Sequence, residues 1–496
     1  MAHRAARLLS QEPETIRRDI GFMPIKYGQL HFGIVCTEPV TRHPAGARLN
    51  HHPRRSGSRE LKSYSCRHEI PNGWKSKMIA RSIPLAGIGL LLLLALGLNS
   101  GRWPAPLRQR AYIWQRDWTP AVSAAVRRAG PHLDGFVVLG AEVAWKDGAP
   151  RVLRSPVDWV ALRETGQPLG IALRIDPFDP VDIMAREERT RLLTELAKSL
   201  VAAARENGVP CAEFQVDYDC AERNLAAYRS WLPALRAAVK PARFVITTLP
   251  AWLDDEAEMT RLVAGVDGFV LQVHSVPTRD SGERASLFDP ARARRWVARA
   301  SKLGRPFTVS LPTYSALVGY DGHGRSLGMA LDGVQPSWPA GTRVVEFVSD
   351  SAELSRLVAE WRTARPAGME GVAWYRLPVG SGERTWRWPT FAAVMEGREP
   401  VHRLQILTAG GNPVDLSLAN AGEAEESLHV AVLLRWDGPA AAAAEALRGW
   451  TVSQSEHEAR FTCDEAAVPR LLPGGRRSIG WLRFNQPTQT YAEILR

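Results

Sequence analysis

From residue 111 onward, short β-rich apolar runs alternate with longer stretches whose apolar positions recur at helical spacing. The runs are 111–115 (AYIWQ), 135–142 (GFVVLGAE), 169–175 (LGIALRI), 213–219 (EFQVDYD), 243–249 (RFVITTL), 268–274 (GFVLQVH), 306–311 (PFTVSL) and 371–376 (GVAWYR). Amphipathic stretches lie between them at 120–129, 156–165, 184–207, 222–239, 254–265, 289–303 and 351–364, and one more follows at 388–397. Eight strands, each followed by a helix, are the signature of a closed parallel barrel. The pattern therefore predicts an α/β fold, a (β/α)8 TIM barrel over residues 104–400. An open doubly wound sheet would carry a glycine-rich phosphate turn after its first strand, and QRDWTP has none. After the seventh strand the connection is long, and 313–350, with a further strand pattern at 344–348 (VVEFV), is expected to be an insertion on the C-terminal face.

Beyond residue 401 the pattern is strands only, at 403–408, 414–419, 428–435, 458–463 and 480–485, separated by Gly, Asn, Asp and Pro turns. This predicts a small β-sandwich accessory domain over 401–496. An Ala-rich patch at 439–448 has helical character and sits awkwardly in that scheme. Trp436, Trp450 and Trp481 form no stripe, which favours a packing module over an independent sugar-binding one.

The run Ile83 to Leu98 has sixteen apolar residues, with Lys75, Lys77 and Arg81 before it and Asn99 and Ser100 after it. That is the layout of an export signal. It is shorter than the ~18–20 residues of a membrane span, and no A-x-A cleavage site follows. Over 78–103, a cleaved signal peptide and an uncleaved membrane anchor therefore both stand. Either way the chain is expected to be exported, periplasmic or anchored facing outside the cytoplasm, with the basic flank inside. Residues 1–77 lack either periodicity and are rich in His, Arg and Pro, so they are expected to be disordered or a misassigned extension, with Met78 as the true start.

Charge adds an exclusion. Of the net +11, residues 1–77 hold +8, from 14 Lys/Arg and 6 Asp/Glu, so the folded part is nearly neutral. A nucleic-acid partner is not expected without a basic footprint. Cys211 and Cys220 flank a strand whose extended length, about 30 Å, forbids a disulfide between them, since that needs Cα atoms within about 7 Å. There is no C-x-x-C pair and no cluster of ligands, so neither a metal nor a cofactor is expected.

The fourth strand carries the chemistry. Phe214, Val216 and Tyr218 share one parity and should face the helices, while Gln215, Asp217 and Asp219 share the other and should face the barrel axis. Buried carboxylates cost free energy unless paired. Two readings follow: the acids serve a reaction such as glycoside hydrolysis, which needs one protonated and one charged carboxyl, or Asp217 pairs with an inward Arg174 or Arg376 and braces the barrel. The other inward candidates at strand ends are Glu142, Arg174, Asp176, Gln272, His274, Trp374 and Arg376, and Tyr314 joins Trp374 as an aromatic suited to a sugar cleft. Trp114, Trp118 and Tyr320 lie nearby in sequence. No G-x-S-x-G elbow follows any strand.

The segments AYIWQRDW, GFVVLGAEV, FQVDYDCAERNLAAYRSWL, VITTLPAWL and GFVLQVHS resemble a bacterial family known as domain of unknown function 3142, across roughly 108–435. That family brings no assigned reaction. The barrel is also distantly similar to the chitinase-type glycosidases of family 18, whose fourth strand ends in D-x-D-x-E. Set on that series, Gln215, Asp217 and Asp219 take the three acidic positions, and Asp219 stands where the proton-donating Glu would be, one methylene shorter. The likeness implies a glycosidase-like barrel, and the shorter acid at 219 departs from the family's N-acetyl-assisted pattern.

The expected function is an exported glycoside-hydrolase-like protein acting on a polysaccharide or oligosaccharide, with Asp219 as general acid and Asp217 as its charged partner. The alternative is a non-catalytic carbohydrate-binding or envelope-scaffold barrel. The catalytic reading requires the acid pair to reach an open, water-accessible cup without being plugged by guanidinium partners.

Overall fold

The computed structural model describes residues 106–495 except 147, 177–182, 277–285, 332–336, 381, 383, 448 and 464–469. The expectations for 1–77 and for the apolar segment at 78–103 lie outside the described residues, among which no helix is long and apolar enough to cross a membrane.

Strands β1 (Arg108–Ile113) and β2 (Phe136–Lys146) open the sheet, and β3 (Ala149–Arg154) folds back antiparallel on β2. Then come β4 (Leu169–Ile175), β5 (Cys211–Tyr218), β6 (Arg243–Thr248), β7 (Gly268–Gln272) and β8 (Phe307–Pro312). An insertion contributes β9 (Ala316–Tyr320), β10 (Ser326–Ala330) and β11 (Arg343–Phe347), and β12 (Met369–Tyr375) is the last stave. Parallel pairing runs β1–β2–β4–β5–β6–β7–β8–β12 and back to β1, which closes the barrel. All eight staves overlap the runs expected from the sequence, with the first starting three residues earlier and the fourth ending at Tyr218, one residue before Asp219. The hairpin strand β3 was not foreseen.

The helices α1 (Pro120–Ala129), α2 (Trp159–Thr165), α3 (Ile183–Glu206), α4 (Leu225–Ala238), α5 (Glu256–Ala264), α6 (Pro290–Ala300), α7 (Ser351–Thr363) and α8 (Trp388–Met395) follow the staves in turn. Four of them start on an aspartate whose side chain accepts from the first free backbone N–H groups: Asp158, Asp255, Asp289 and Asp350. Helix α2 ends on Gly166 at φ 65°, a left-handed turn that glycine enters without strain. The outer faces of the staves, among them Val138, Ile171, Phe214, Ile246 and Val309, bury against these helices in one continuous apolar cluster.

Of the run expected at 344–348, residues 344–347 fall on a strand, β11, which pairs with β9; with β10 they make a three-stranded antiparallel sheet beyond β8. Further on lie β13 (Leu404–Ala409), β14 (Val414–Asn420), β15 (Ala431–Trp436), β16 (Ala443–Ala446), β17 (Trp450–Gln454), β18 (Glu458–Cys463), β19 (Arg476–Arg483) and β20 (Thr490–Leu495). They form two four-stranded antiparallel sheets, β13-β14-β19-β16 and β17-β18-β15-β20. Leu416, Leu418, Ile479 and Leu482 of the first share a core with Val432, Leu434 and Phe461 of the second, so the unit is a sandwich. The Ala-rich patch is corrected here: its centre is the edge strand β16, hydrogen-bonded to β19, and pairing overrides the helical preference of alanine.

Candidate functional site

Strand β5 sets the site. Its residues alternate across the sheet, and Tyr218 on the outer face packs edge-on against Tyr228 and Trp231 of α4. The inner face carries a column of polar groups that can be followed from floor to mouth. At the floor Glu213 accepts from Arg110 Nη1 at 2.9 Å and lies 3.7 Å from Arg243 Nη1, which also reaches Glu370 at 2.6 Å. Above it Gln215 donates through Nε2 to Glu213 at 2.7 Å and accepts from the Tyr112 hydroxyl at 2.8 Å. Gln215 is wholly buried. Its expected place in a substrate cleft is therefore corrected: both ends of the amide are committed beneath the acid pair.

The acid pair comes next. Asp217 accepts from Thr247 Oγ1 at 2.6 Å on one oxygen and from Arg174 Nη1 at 2.7 Å on the other. The same Arg174 nitrogen donates to Asp219 Oδ2, also at 2.7 Å, and Gln272 Nε2 reaches Asp219 Oδ1 at 3.3 Å. The pairing register explains the grip, since Arg174 of β4 lies directly beside Asp217 of β5. Both carboxylates are only 4% exposed. The freely open cup expected from the sequence is thus corrected: the acids face inward but are nearly covered and share a guanidinium.

This arrangement sets the charges. Burial raises the Asp219 carboxyl above the ordinary aspartate range and the neighbouring Asp217 charge adds to the effect; Arg174 and Gln272 pull the other way without cancelling it. Burial works against the Arg174 cation, but the two carboxylates outweigh it and hold its pKa well above normal.

Of the other candidates, Gln272 joins the pair directly. Glu142 reaches the mouth and is held by Arg116 at 2.8 Å. Its inward direction depends on a register shift between Leu139 and Ala141, at Gly140, where an added Cβ would meet Ile171 Cγ2 at 2.7 Å. Asp176 stays on the rim, half exposed, 4.0 Å from Arg174 Nε. Arg376 lies beside Tyr314, and burial lowers its pKa. His274 stacks on Tyr375 at 5.6 Å between ring centroids and meets Tyr314 edge-on at 6.0 Å.

Trp374 is a correction. It is fully buried on the outer face of β12, its indole N–H donates to Gln109 Oε1 at 3.1 Å, and its ring packs against Phe391 of α8. The inward aromatic on this strand is Tyr375, which forms an edge-to-face trio with Tyr112 and Trp114. Tyr112, Tyr375, Thr247, Arg116 and Glu213 were missed as site or support residues. Tyr112 and Glu213 share parity with residues already singled out, a signal present in the sequence; the others depend on register.

Fold and site together define a closed (β/α)8 barrel with an acid pair at the C-terminal end of its fourth stave, the face on which barrel enzymes carry their chemistry. Residues 165–380 match the family described as Domain of unknown function (DUF3142). The match covers the segments around β5, β6 and β7 but not AYIWQRDW or GFVVLGAEV, so it is narrower than the resemblance read from the sequence. No curated protein matches the chain. Among solved structures, the chain is similar to a chitinase from Chromobacterium violaceum at 14% identity and a TM-score of 0.42, over 59% of this chain and 98% of that one. It is similar to the spore cortex-lytic enzyme of Bacillus cereus at 11% identity and a TM-score of 0.43, over 59% and 74%. A family 18 N-acetylglucosaminidase from Paenibacillus barengoltzii gives 12% identity and a TM-score of 0.38, over 59% and 99%. The barrel itself is read from strand order and register, not from these likenesses.

Proposed function

We propose that this is an exported, glycan-directed barrel of the glycoside-hydrolase type, in which Asp219 holds the transferable proton and Asp217 is the charged partner that sets it. The observation that carries the reading is the imbalance of two carboxylates on one guanidinium; the same Arg174 contact and the 4% exposure run against the open cup that turnover requires, so the acid has to be reached past a narrow mouth. A buried cluster with two anions and one cation has a charge to spare, and it is relieved by a proton on one carboxyl. Asp217 has both oxygens taken by short hydrogen bonds, whereas among the described residues Asp219 Oδ1 has only the longer Gln272 contact, so Asp219 is the carboxyl of the pair better placed to face a ligand. Export rests on the apolar segment at 83–98 with its basic flank.

The test is reducing-end release from chitin, peptidoglycan and mixed β-glucans. Asp219→Asn and Asp217→Asn should each lower turnover by about 10²–10⁴-fold, the usual worth of a positioned acid, with folding retained. Full activity in either variant rejects the assignment. A second reading is favoured by the same Arg174 contact and by the small exposure of both acids: the pair braces the barrel, which binds glycan or serves as an envelope scaffold without turnover. Glycan binding without reducing-end release would select it.

A further inference from the structure

His274 continues the inner face of β7 two residues past Gln272, so its ring stands one step nearer the mouth than the amide that touches Asp219. Its Nδ1 lies 3.2 Å from the carbonyl oxygen of Ser310 on β8. A carbonyl oxygen only accepts, so the hydrogen of this contact belongs to Nδ1. Burial pushes the imidazole pKa down to about 4, so at neutral pH the ring carries one N–H, and Ser310 takes it. Nε2 is left as a bare lone pair, and no donor among the described residues bonds to it.

The ring is also fixed in place, stacked on Tyr375 at an interplanar angle of 26° and met edge-on by Tyr314 at 84°. The side chain keeps 9% exposure. Nε2 is not among the sealed, unpartnered polar atoms of the described residues, so it reaches solvent, and a ligand hydrogen can take the place of water there.

We propose that His274 is a specificity-determining residue of the barrel mouth: its Nε2 accepts a hydrogen bond from a hydroxyl or amide hydrogen of a neutral glycosyl unit and turns away carboxylate or phosphate groups at that point. The identity of the ligand rests on the glycan reading above; the direction of the hydrogen bond does not. Lone pairs of an anionic oxygen would face the Nε2 lone pair with no hydrogen between them, so discrimination comes from repulsion as well as attraction.

Two measurements test it on the full chain. Long-range nitrogen–proton NMR at neutral pH, with His274→Asn for assignment, should show Nδ1 protonated and Nε2 bare; a protonated Nε2 overturns the inference. Titration calorimetry with chitotetraose, cellotetraose and tetragalacturonate should show wild-type binding to a neutral oligomer and none to the uronate. His274→Asn keeps a polar group near Nδ1 but removes Nε2, and should weaken the neutral ligand about three- to ten-fold. His274→Gln, whose amide oxygen reaches the position of Nε2, should recover most of that loss, with melting curves confirming that both variants fold. Binding unchanged in His274→Asn overturns the inference alone. Failure of the wild type to bind any of the three overturns the glycan reading and the ligand assigned here with it, whatever the NMR result.

Discussion

Strand β5 carries carboxylates at both ends of the barrel, and the two ends are balanced differently. At the floor Glu213 and Glu370 meet Arg110 and Arg243, two anions against two cations. At the mouth, Arg174 is the one cation that Asp217 and Asp219 share among the described residues, with the exposed Asp176 at its far edge. A neutralised floor is a brace. The acid pair has one cation between two carboxylates among the described residues, and burial, with the neighbouring Asp217 charge adding to it, is what lifts the Asp219 carboxyl. The contrast matches the general division of labour in barrels, where the N-terminal end stabilises and the C-terminal end works.

Removing the cation at each end separates the two roles. Arg174→Met should have the largest effect, a loss of about 3–5 kcal/mol in urea unfolding at neutral pH, because the buried Asp217 carboxylate loses its charge partner and Asp219 loses its hydrogen bond at once. The loss should shrink in acid, where those carboxylates protonate. A cost near zero would mean that the mouth cluster is solvated in solution, and the contrast with the floor would fail. Arg110→Met should cost less, about 1.5–3 kcal/mol, because Arg243 remains near Glu213. It should leave glycan binding unaltered; a changed affinity would break the division between floor and mouth.

Much of the barrel is legible in the sequence because its two periodicities differ so clearly. Runs such as GFVVLGAE and LGIALRI are apolar on both faces, and the helices between them show one apolar stripe and often an aspartate cap. The strand β3 was not legible because every residue in it is exposed, so it has no apolar face to betray it. The inward direction of Asp217 and Asp219 follows from alternation along a strand whose two faces differ in polarity. On β12 that signal is missing: Val372, Ala373 and Trp374 are all buried, so hydrophobicity cannot say which points in. Volume decides instead, with the small Ala373 beside Tyr112, Val137 and Ala172 inside and the large indole among the helices. The sequence offers Arg174 beside Arg376 as a partner for Asp217, but the choice between them and the second contact to Asp219 depend on the register between β4 and β5, which neither strand encodes alone.

The smallest effect sharpens the comparison most, because it has the opposite sign. Asp219→Asn replaces the carboxyl that burial and Asp217 raise with a neutral amide of the same shape, and leaves Asp217 paired one to one with Arg174. In the wild type the folded state holds the Asp219 proton more tightly than the unfolded chain, whose carboxyl titrates near 3.8. Its stabilising contribution is therefore complete below that pH and is lost as pH rises through the higher folded value. The wild type should lose stability relative to Asp219→Asn across that window, by at most about 1.4 kcal/mol per pH unit, the limit for one proton. Above the window the variant should be the more stable of the two. Glu213→Gln at the balanced floor should do the reverse and destabilise, because it strips the anion from Arg110. Urea unfolding of the three proteins from pH 4 to 8 decides the matter: parallel stability curves for wild type and Asp219→Asn would mean that no proton is held at the mouth, and the acid pair would then be a second brace like the one below it.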